Sequence, residues 1–282
     1  MSRASCLAAV IVALLLSTSA PVGAWPAVPR FLPSDLGLTT ETLLDATTDD
    51  FPANFAVVGL MRWVLQPSPR PLIVPPHGGP LFVVVERGLI TATQQGVETR
   101  LAAGEMFAPN DYEREVILHV GGRDEAILFV ATFKTPGFLP CDWGHDPLSY
   151  NRQELIQTPV DALPGGSGRL RLERLTLPPR SALPPQEASP LIWTSVGEGV
   201  LGLTLEGQMP YFWEPGEERT FRRGQPWPQI PDSIANPLLY GGTRMTLRNA
   251  GDDPLVLYRL TLTPSAGTIA PPVSPLGGSP LF

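Results

Sequence analysis

The sequence predicts an all-β protein, two antiparallel barrels in one chain, and three observations carry that prediction. First, PPHGGPLFVVVERG from Pro75 to Gly88 has a counterpart in PPQEASPLIWTSVGEG from Pro184 to Gly199. Each begins with a proline pair, passes a short turn and ends its apolar run at a glycine. A second apolar run follows, LITAT from Leu89 and VLGLTL from Val200. Two such runs around a glycine read as a β-hairpin.

Second, the repeat extends in one order on both sides. Upstream, Phe51-Pro52 matches Leu163-Pro164, and Arg62-Trp63-Val64-Leu65 matches Arg174-Leu175-Thr176-Leu177, both offset by 112 (163 − 51). Downstream, Gly122 to Phe129 matches Gly251 to Tyr258, offset by 129 (251 − 122). The second copy therefore carries 17 extra residues (129 − 112), most of them between Gly207 and Arg244. Ordered blocks with divergence confined to a turn region indicate a duplicated domain. Third, no stretch sustains a 3.6-residue period, while short strand candidates recur at regular spacing, the pattern of closed or sandwiched barrels.

Taken in order, residues 1–24 read as a secretory signal peptide. Arg3 supplies the positive end, Leu7 to Leu16 the apolar run, and Val22-Gly23-Ala24 a small-residue site for cleavage before Trp25. The run is too short to span a membrane. Residues 25–135 hold the first barrel with an N-terminal arm. Within that arm, Ser34 to Asp49 offers one short helix, Thr40 capping Glu41 to Leu44. The strand candidates of this half are Ala56–Leu65, Leu81–Val85, Leu89–Thr93, Val116–Val120 and Ala126–Phe133. Residues 136–154 form a linker rich in Pro, Gly and polar residues. The second barrel spans 155–264, with candidates Leu170–Leu177, Leu191–Ser195, Val200–Leu205, Gly242–Leu247 and Leu255–Thr263. Residues 265–282, rich in Pro, Ser and Gly, form a tail that frays.

Composition narrows the partners. The formal charge is -7 with a single lysine, Lys134, and no basic stripe, which argues against nucleic acid and against anionic membranes as partners. Cys6 leaves with the signal, so Cys141 has no intrachain disulfide partner and the fold depends on its core. With 34 prolines and 17% charged residues, packed β structure with stiff turns fits better than disorder.

These residues resemble the cupin superfamily, small jelly-roll barrels that often occur as fused pairs. Its first motif resembles G-x5-H-x-H-x3/4-E-x6-G, and here His77 falls at the second histidine, Pro75 at the first, Leu81 at the glutamate and Gly88 at the closing glycine. Leu101 to Pro109 resembles the opening of the second motif, with Arg114 or Val116 at its histidine. In the second half Gln186 or Glu187 stands at a histidine position, Ile192 at the glutamate, Met245 at the remaining histidine and Asn249 at the asparagine. In metal-binding members the resemblance implies three histidines and a glutamate around a metal. That set is mostly replaced here, and His77 alone cannot hold a first-row ion.

The other candidates are weighed residue by residue. His77 is either a turn residue or a ligand contact. His119 reads as a solvated strand end. Cys141 and His145 offer a thiol and a base without a third partner. Glu86 and Glu198, beside the motif glycines, read as solvent-facing, and EPGEERTFRR from Glu214 as a solvated hairpin end. The insert carries Tyr211, Phe212, Trp213, Phe221, Trp227 and Tyr240, either an apolar platform or packing.

The function expected from sequence is an exported bicupin without a conventional metal site or other cofactor. It binds a sugar-like or hydrophobic small molecule, or serves a structural role, and self-association is compatible with either. His77, Gln186, Glu187 and Trp193 are the ligand-binding candidates, at a barrel interior or mouth. The competing class is a metal-dependent cupin enzyme, an oxygenase, decarboxylase or isomerase acting through His77.

Overall fold

A computed structural model describes residues 37–53, 55–76, 78–135, 150–160, 163, 165–187, 191–206, 217–223 and 244–265, with Glu187 described in its backbone only. All structural statements concern these residues. They form seventeen strands and no helix. In chain order these are β1 (Thr39–Phe51), β2 (Ala56–Leu65), β3 (Leu72–Val74), β4 (Leu81–Arg87), β5 (Leu89–Gln94), β6 (Val97–Ala102), β7 (Met106–Phe107), β8 (Val116–Val120) and β9 (Ala126–Lys134). Then come β10 (Tyr150–Val160), β11 (Gly166–Leu177), β12 (Gln186–Glu187), β13 (Ile192–Glu198), β14 (Val200–Glu206), β15 (Glu218–Arg222), β16 (Arg244–Asn249) and β17 (Leu255–Pro264).

Four antiparallel sheets result. The first barrel closes the order β10-β2-β9-β4-β7 over β3-β8-β5-β6, and the second closes β1-β11-β17-β13 over β12-β16-β14-β15. That is a jelly roll used twice. The duplication is visible in register. Leu65 faces Ala126 across β2 and β9, and Leu177 faces Leu255 across β11 and β17. These pairs reproduce the offsets of 112 (177 − 65) and 129 (255 − 126).

The first strand of each copy is exchanged. β1 pairs with β11, Thr42 opposite Glu173, and β10 pairs with β2, Glu154 opposite Met61. Each has a bulge at the same place, between Thr42 and Leu44 and between Glu154 and Ile156, again 112 apart (154 − 42). The expected bounds are therefore corrected: β1, from the N-terminal arm, completes the second barrel, and β10, expected as the end of the linker and the start of the second barrel, completes the first. β1 also replaces the helix expected within Ser34 to Asp49. Its repeated threonines suit a pleated strand, and a ladder pairing ten of its thirteen residues with β11 outweighs a one-turn helical signal.

The glycine between the apolar runs is corrected as well. β4 pairs with β9 and β7, whereas β5 pairs with β6 and β8, so the two runs enter different sheets. β13 and β14 do the same. Gly88 (φ 90°) and Gly199 (φ 87°) are the corners, each next to a bulge, between Val85 and Arg87 or Val196 and Glu198. A tight run–glycine–run pattern does not distinguish a hairpin from a barrel corner.

Alternation along the strands sorts the apolar side chains into three cores. Met61, Trp63 and Leu65 point into the first barrel with Leu81, Val83 and Val116. Leu175, Leu177, Leu203, Leu247 and Leu257 fill the second. The third core lies between the barrels, where Val58, Leu60, Phe82, Phe129 and Phe133 meet Leu170, Leu172, Trp193, Tyr258 and Leu260. Fully burying each such side chain contributes about 1.5–3 kcal/mol. Phe129 and Tyr258, equivalent in the repeat (258 − 129 = 129), stack with centroids 5.0 Å apart.

Glu86 crosses this interface instead of facing solvent. Its carboxylate takes Arg62 Nε at 3.1 Å and Arg174 Nη2 on its other oxygen, two arginines equivalent at offset 112 (174 − 62). Arg174 also lies 5.8 Å over the Tyr258 ring. Burial pushes the Tyr258 phenol up, partly offset by the Arg174 charge. Glu198 is exposed, as expected. Within the turn expected from EPGEERTFRR, Glu218 to Arg222 form the edge strand β15, and Glu218 pairs with Arg248 on β16.

Candidate functional site

The inward positions around each barrel mouth are where a cupin-like chain would carry its chemistry. In the first barrel the chain leaves β3 at Val74, turns through Pro75 to Pro80 and enters β4. The Gly78 amide donates to the Tyr112 carbonyl at 3.3 Å, and Thr135 Oγ1 donates to the Gly78 carbonyl at 3.4 Å. His77, within this turn, lies outside the described residues. Leu81 and Val116 are both 0% exposed, sealed in the barrel core. Of the two residues offered for the second-motif histidine, Val116 takes the inward position. Arg114 is exposed and lies 3.7 Å from Asp111.

The second mouth is different. Gln186 on β12, opposite Met245, accepts from Arg259 Nη1 at 3.5 Å. Arg259 Nε and Nη2 both donate to Glu173 Oε2, at 3.0 and 2.7 Å, and Arg171 stands 3.4 Å from the other Glu173 oxygen. Glu173 and Arg259 are direct cross-strand partners on the barrel-facing side of β11 and β17. Charges in a dry interior persist only when paired and hydrogen-bonded, and both conditions hold here. The chain from β12 through Arg259 to Glu173 spans from one sheet to the other. Its counterparts in the first barrel are Met61 (173 − 112) and Val130 (259 − 129), two apolar core residues.

Sequence reasoning passed over Glu173 and Arg259. The signal was present, since each interrupts an apolar run, LRLERL and VLYRLTL, where the first copy has Met61 and Val130. Of the candidates it did name, Gln186 sits in this network. Glu187 pairs with Arg244 along the backbone. Trp193 needs correction as a mouth residue. It is 8% exposed and packs in the inter-barrel core, its ring 6.4 Å from that of Phe133. The strand period of two decides this, because Ile192 and Thr194 take the barrel-facing side.

The remaining candidates carry less. Phe221 packs against the second-barrel core, while Tyr211, Phe212, Trp213, Trp227 and Tyr240 lie outside the described residues. Cys141 and His145 lie outside them too. His119 is half-buried on β8 beside the Gly121 turn. Asn249 is structural. Fully buried, its amide donates to the carbonyls of Leu177 at 3.0 Å and Asp253 at 2.8 Å, and its oxygen accepts from the Gly251 amide.

A metal does not fit the described positions. Leu81, Val116 and Ile192 have no donor atoms, and Met245 offers only a weak thioether. Among the described residues no group of three or more His, Cys, Asp or Glu could hold an ion. No helix among them is long and apolar enough to cross a membrane.

Two jelly-roll barrels with a shared interface and exchanged first strands define a protein of bicupin fold. No protein-family model matches the chain, and no curated protein sequence matches it. Solved structures that it resembles include AerE from Microcystis aeruginosa, 14% identical, covering 78% of this chain and 98% of that one, TM-score 0.40. YhaK from Escherichia coli is 13% identical over 78% and 94%, TM-score 0.38. The formate complex of Lactobacillus farciminis oxalate decarboxylase is 9% identical over 86% and 90%, TM-score 0.39. These likenesses are remote, and the bicupin fold is argued from the topology above.

Proposed function

We propose that this chain is an exported, non-catalytic bicupin that binds a small organic molecule at a barrel mouth. The observation that carries the reading is the contrast between the two interiors. Leu81 and Val116, at described metal-ligand positions of the first barrel, are hydrocarbon, while the second barrel keeps a polar group, Gln186 with Arg259 and Glu173, beside its apolar core. An apolar concavity with a few convergent polar groups suits an organic ligand. Glu187 next to Gln186 and His77 at the other mouth remain the further candidates. The export half of the reading rests on residues 1–24, and the secreted chain should begin at Trp25.

Thermal-shift screening of the mature protein against sugars, phenolics and acyl compounds tests the binding half. A ligand found this way should lose about tenfold in affinity on Gln186→Ala, the scale of one hydrogen bond to a polar group. Glu187→Ala and His77→Ala report whether the adjoining positions contribute. The same purified protein should carry no stoichiometric metal. Bound Mn, Fe, Ni, Cu or Zn that disappears in His77→Ala would replace this reading with the metal-enzyme one.

A further inference from the structure

The two barrels turn different outer faces to solvent. In the sheet β3-β8-β5-β6, Leu72, Ile90, Val116 and Leu118 point into the first barrel, so the alternate residues point away from it. Register sets these outer residues in rows across the strands. One row runs Ile73, Ile117, Thr93, Glu98, and the next runs His119, Thr91, Arg100. Ile73 is 45% exposed, and Ile117, Thr93, Thr91 and His119 are half-buried. At the repeat positions of Ile117 and His119 the second barrel has Thr246 (246 − 117 = 129) and Arg248 (248 − 119 = 129). Arg248 donates there to both carboxylate oxygens of Glu218, at 2.9 and 2.5 Å. The second face is an ion-paired, solvated surface. On the first, β3, β8 and β5 contain no Asp, Glu, Lys or Arg at all.

The charges of this face stand together on its edge strand, β6. Glu98 and Arg100 are exposed, two residues apart and on the same side. Among the described residues neither side chain has a hydrogen bond or an ion pair. One acid and one base in adjacent rows make the face self-complementary. A two-fold axis crossing the strands between the two rows lays each row of one copy over the other row of its partner. Glu98 then meets Arg100 of the partner subunit, and the reverse pair forms by symmetry. Along the same axis the apolar and threonine side chains of β8 and β5 face their own kind, as in aligned sheet packing. A partner presenting one sign of charge would satisfy only one of the two groups.

We infer that two copies of this chain associate through the outer sheet of the first barrel, face to face about this axis. Area sets the strength. Four strands about 4.8 Å apart, with about 3.3 Å per residue along them, present roughly 350 Å² per copy. A standard interface buries about 800 Å² per partner, so the dimer belongs to the weak, concentration-dependent class. It requires no ligand and stands apart from the binding site proposed above.

Sedimentation velocity of the mature protein over a wide range of concentration tests this. A reversible monomer–dimer equilibrium in the micromolar range is expected. Glu98→Arg and Arg100→Glu each set like charges against one another at two symmetric places, and each should weaken the dimer about tenfold. The double variant, Glu98→Arg with Arg100→Glu, exchanges the two roles and should restore dimerisation to within about threefold. Both positions are exposed on an edge strand, and an unchanged melting temperature verifies that each variant is folded. Ile73→Glu, which adds a carboxylate without a partner, should weaken the dimer by a similar factor. A protein that stays monomeric at every concentration would overturn the inference. So would a dimer that the single reversals leave unchanged, or one that the double variant fails to restore. Dimerisation lost in Arg248→Glu and kept in Glu98→Arg would assign the contact to the second barrel and also overturn it.

Discussion

Cutting the chain between Lys134 and Tyr150 is expected to give two fragments that do not fold alone and fold when mixed. The N-terminal fragment keeps β1 to β9 but lacks β10, so β2 has an unpaired edge. The C-terminal fragment lacks β1, so β11 does. Each would also expose its face of the inter-barrel core, including Phe82, Phe129 and Phe133 on one side and Leu170, Leu172 and Leu260 on the other. The exchanged strands bring their own buried residues, Leu44, Ala46 and Phe51 from β1 and Ile156 and Val160 from β10. An exposed apolar face and an open sheet edge together favour aggregation over a folded monomer. Mixing restores both edges at once, and reassembly becomes bimolecular and concentration-dependent. Tryptophan fluorescence reports it, because Trp63 and Trp193 are both buried in the intact chain. Cooperative unfolding of either fragment by itself would show that the exchange is dispensable.

Gly88→Ala and Gly199→Ala should each cost about 3 kcal/mol or more, from two contributions. The positive φ of each corner costs a non-glycine residue about 1–3 kcal/mol. A Cβ would also strike fixed backbone. At Gly88 it meets the Glu125 carbonyl oxygen at 2.8 Å and Ala126 Cα at 2.9 Å. At Gly199 it meets the Pro254 carbonyl oxygen at 2.8 Å and Leu255 Cα at 3.0 Å. The obstacles are the same pair at the 129 offset (254 − 125), so equal losses are expected in the two barrels. Gly96→Ala separates the contributions. Its φ is 80° with nothing within 4 Å, and about 1 kcal/mol is expected there. Urea unfolding measures all three, and a Gly88→Ala loss no greater than that of Gly96→Ala would remove the steric argument.

The sequence by itself determined the class of fold and the duplication. Ten of the strands fall where apolar runs placed them, β2 and β8 with the same ends. Short runs bounded by Gly and Pro cannot be much else in a chain without helical period. The apolar residues at the cupin-like ligand positions were legible too, since a side chain's donor atoms are fixed by its identity. The edge strands β1, β10 and β15 were not legible. Their exposed polar pattern resembles a loop or a short helix until a partner supplies the ladder.

Only the tertiary structure decided which barrel each first strand completes. Local sequence is compatible with either partner, because the two copies offer equivalent edges 112 residues apart. It also decided which way side chains face. A shift of one residue along a strand sends Trp193 to the inter-barrel core and leaves Ile192 and Thr194 for the mouth. Glu173 and Arg259, 86 residues apart in sequence, become one ion pair only when β11 and β17 align. Pairing across a sheet depends on register, and register here is fixed by three cores closing together.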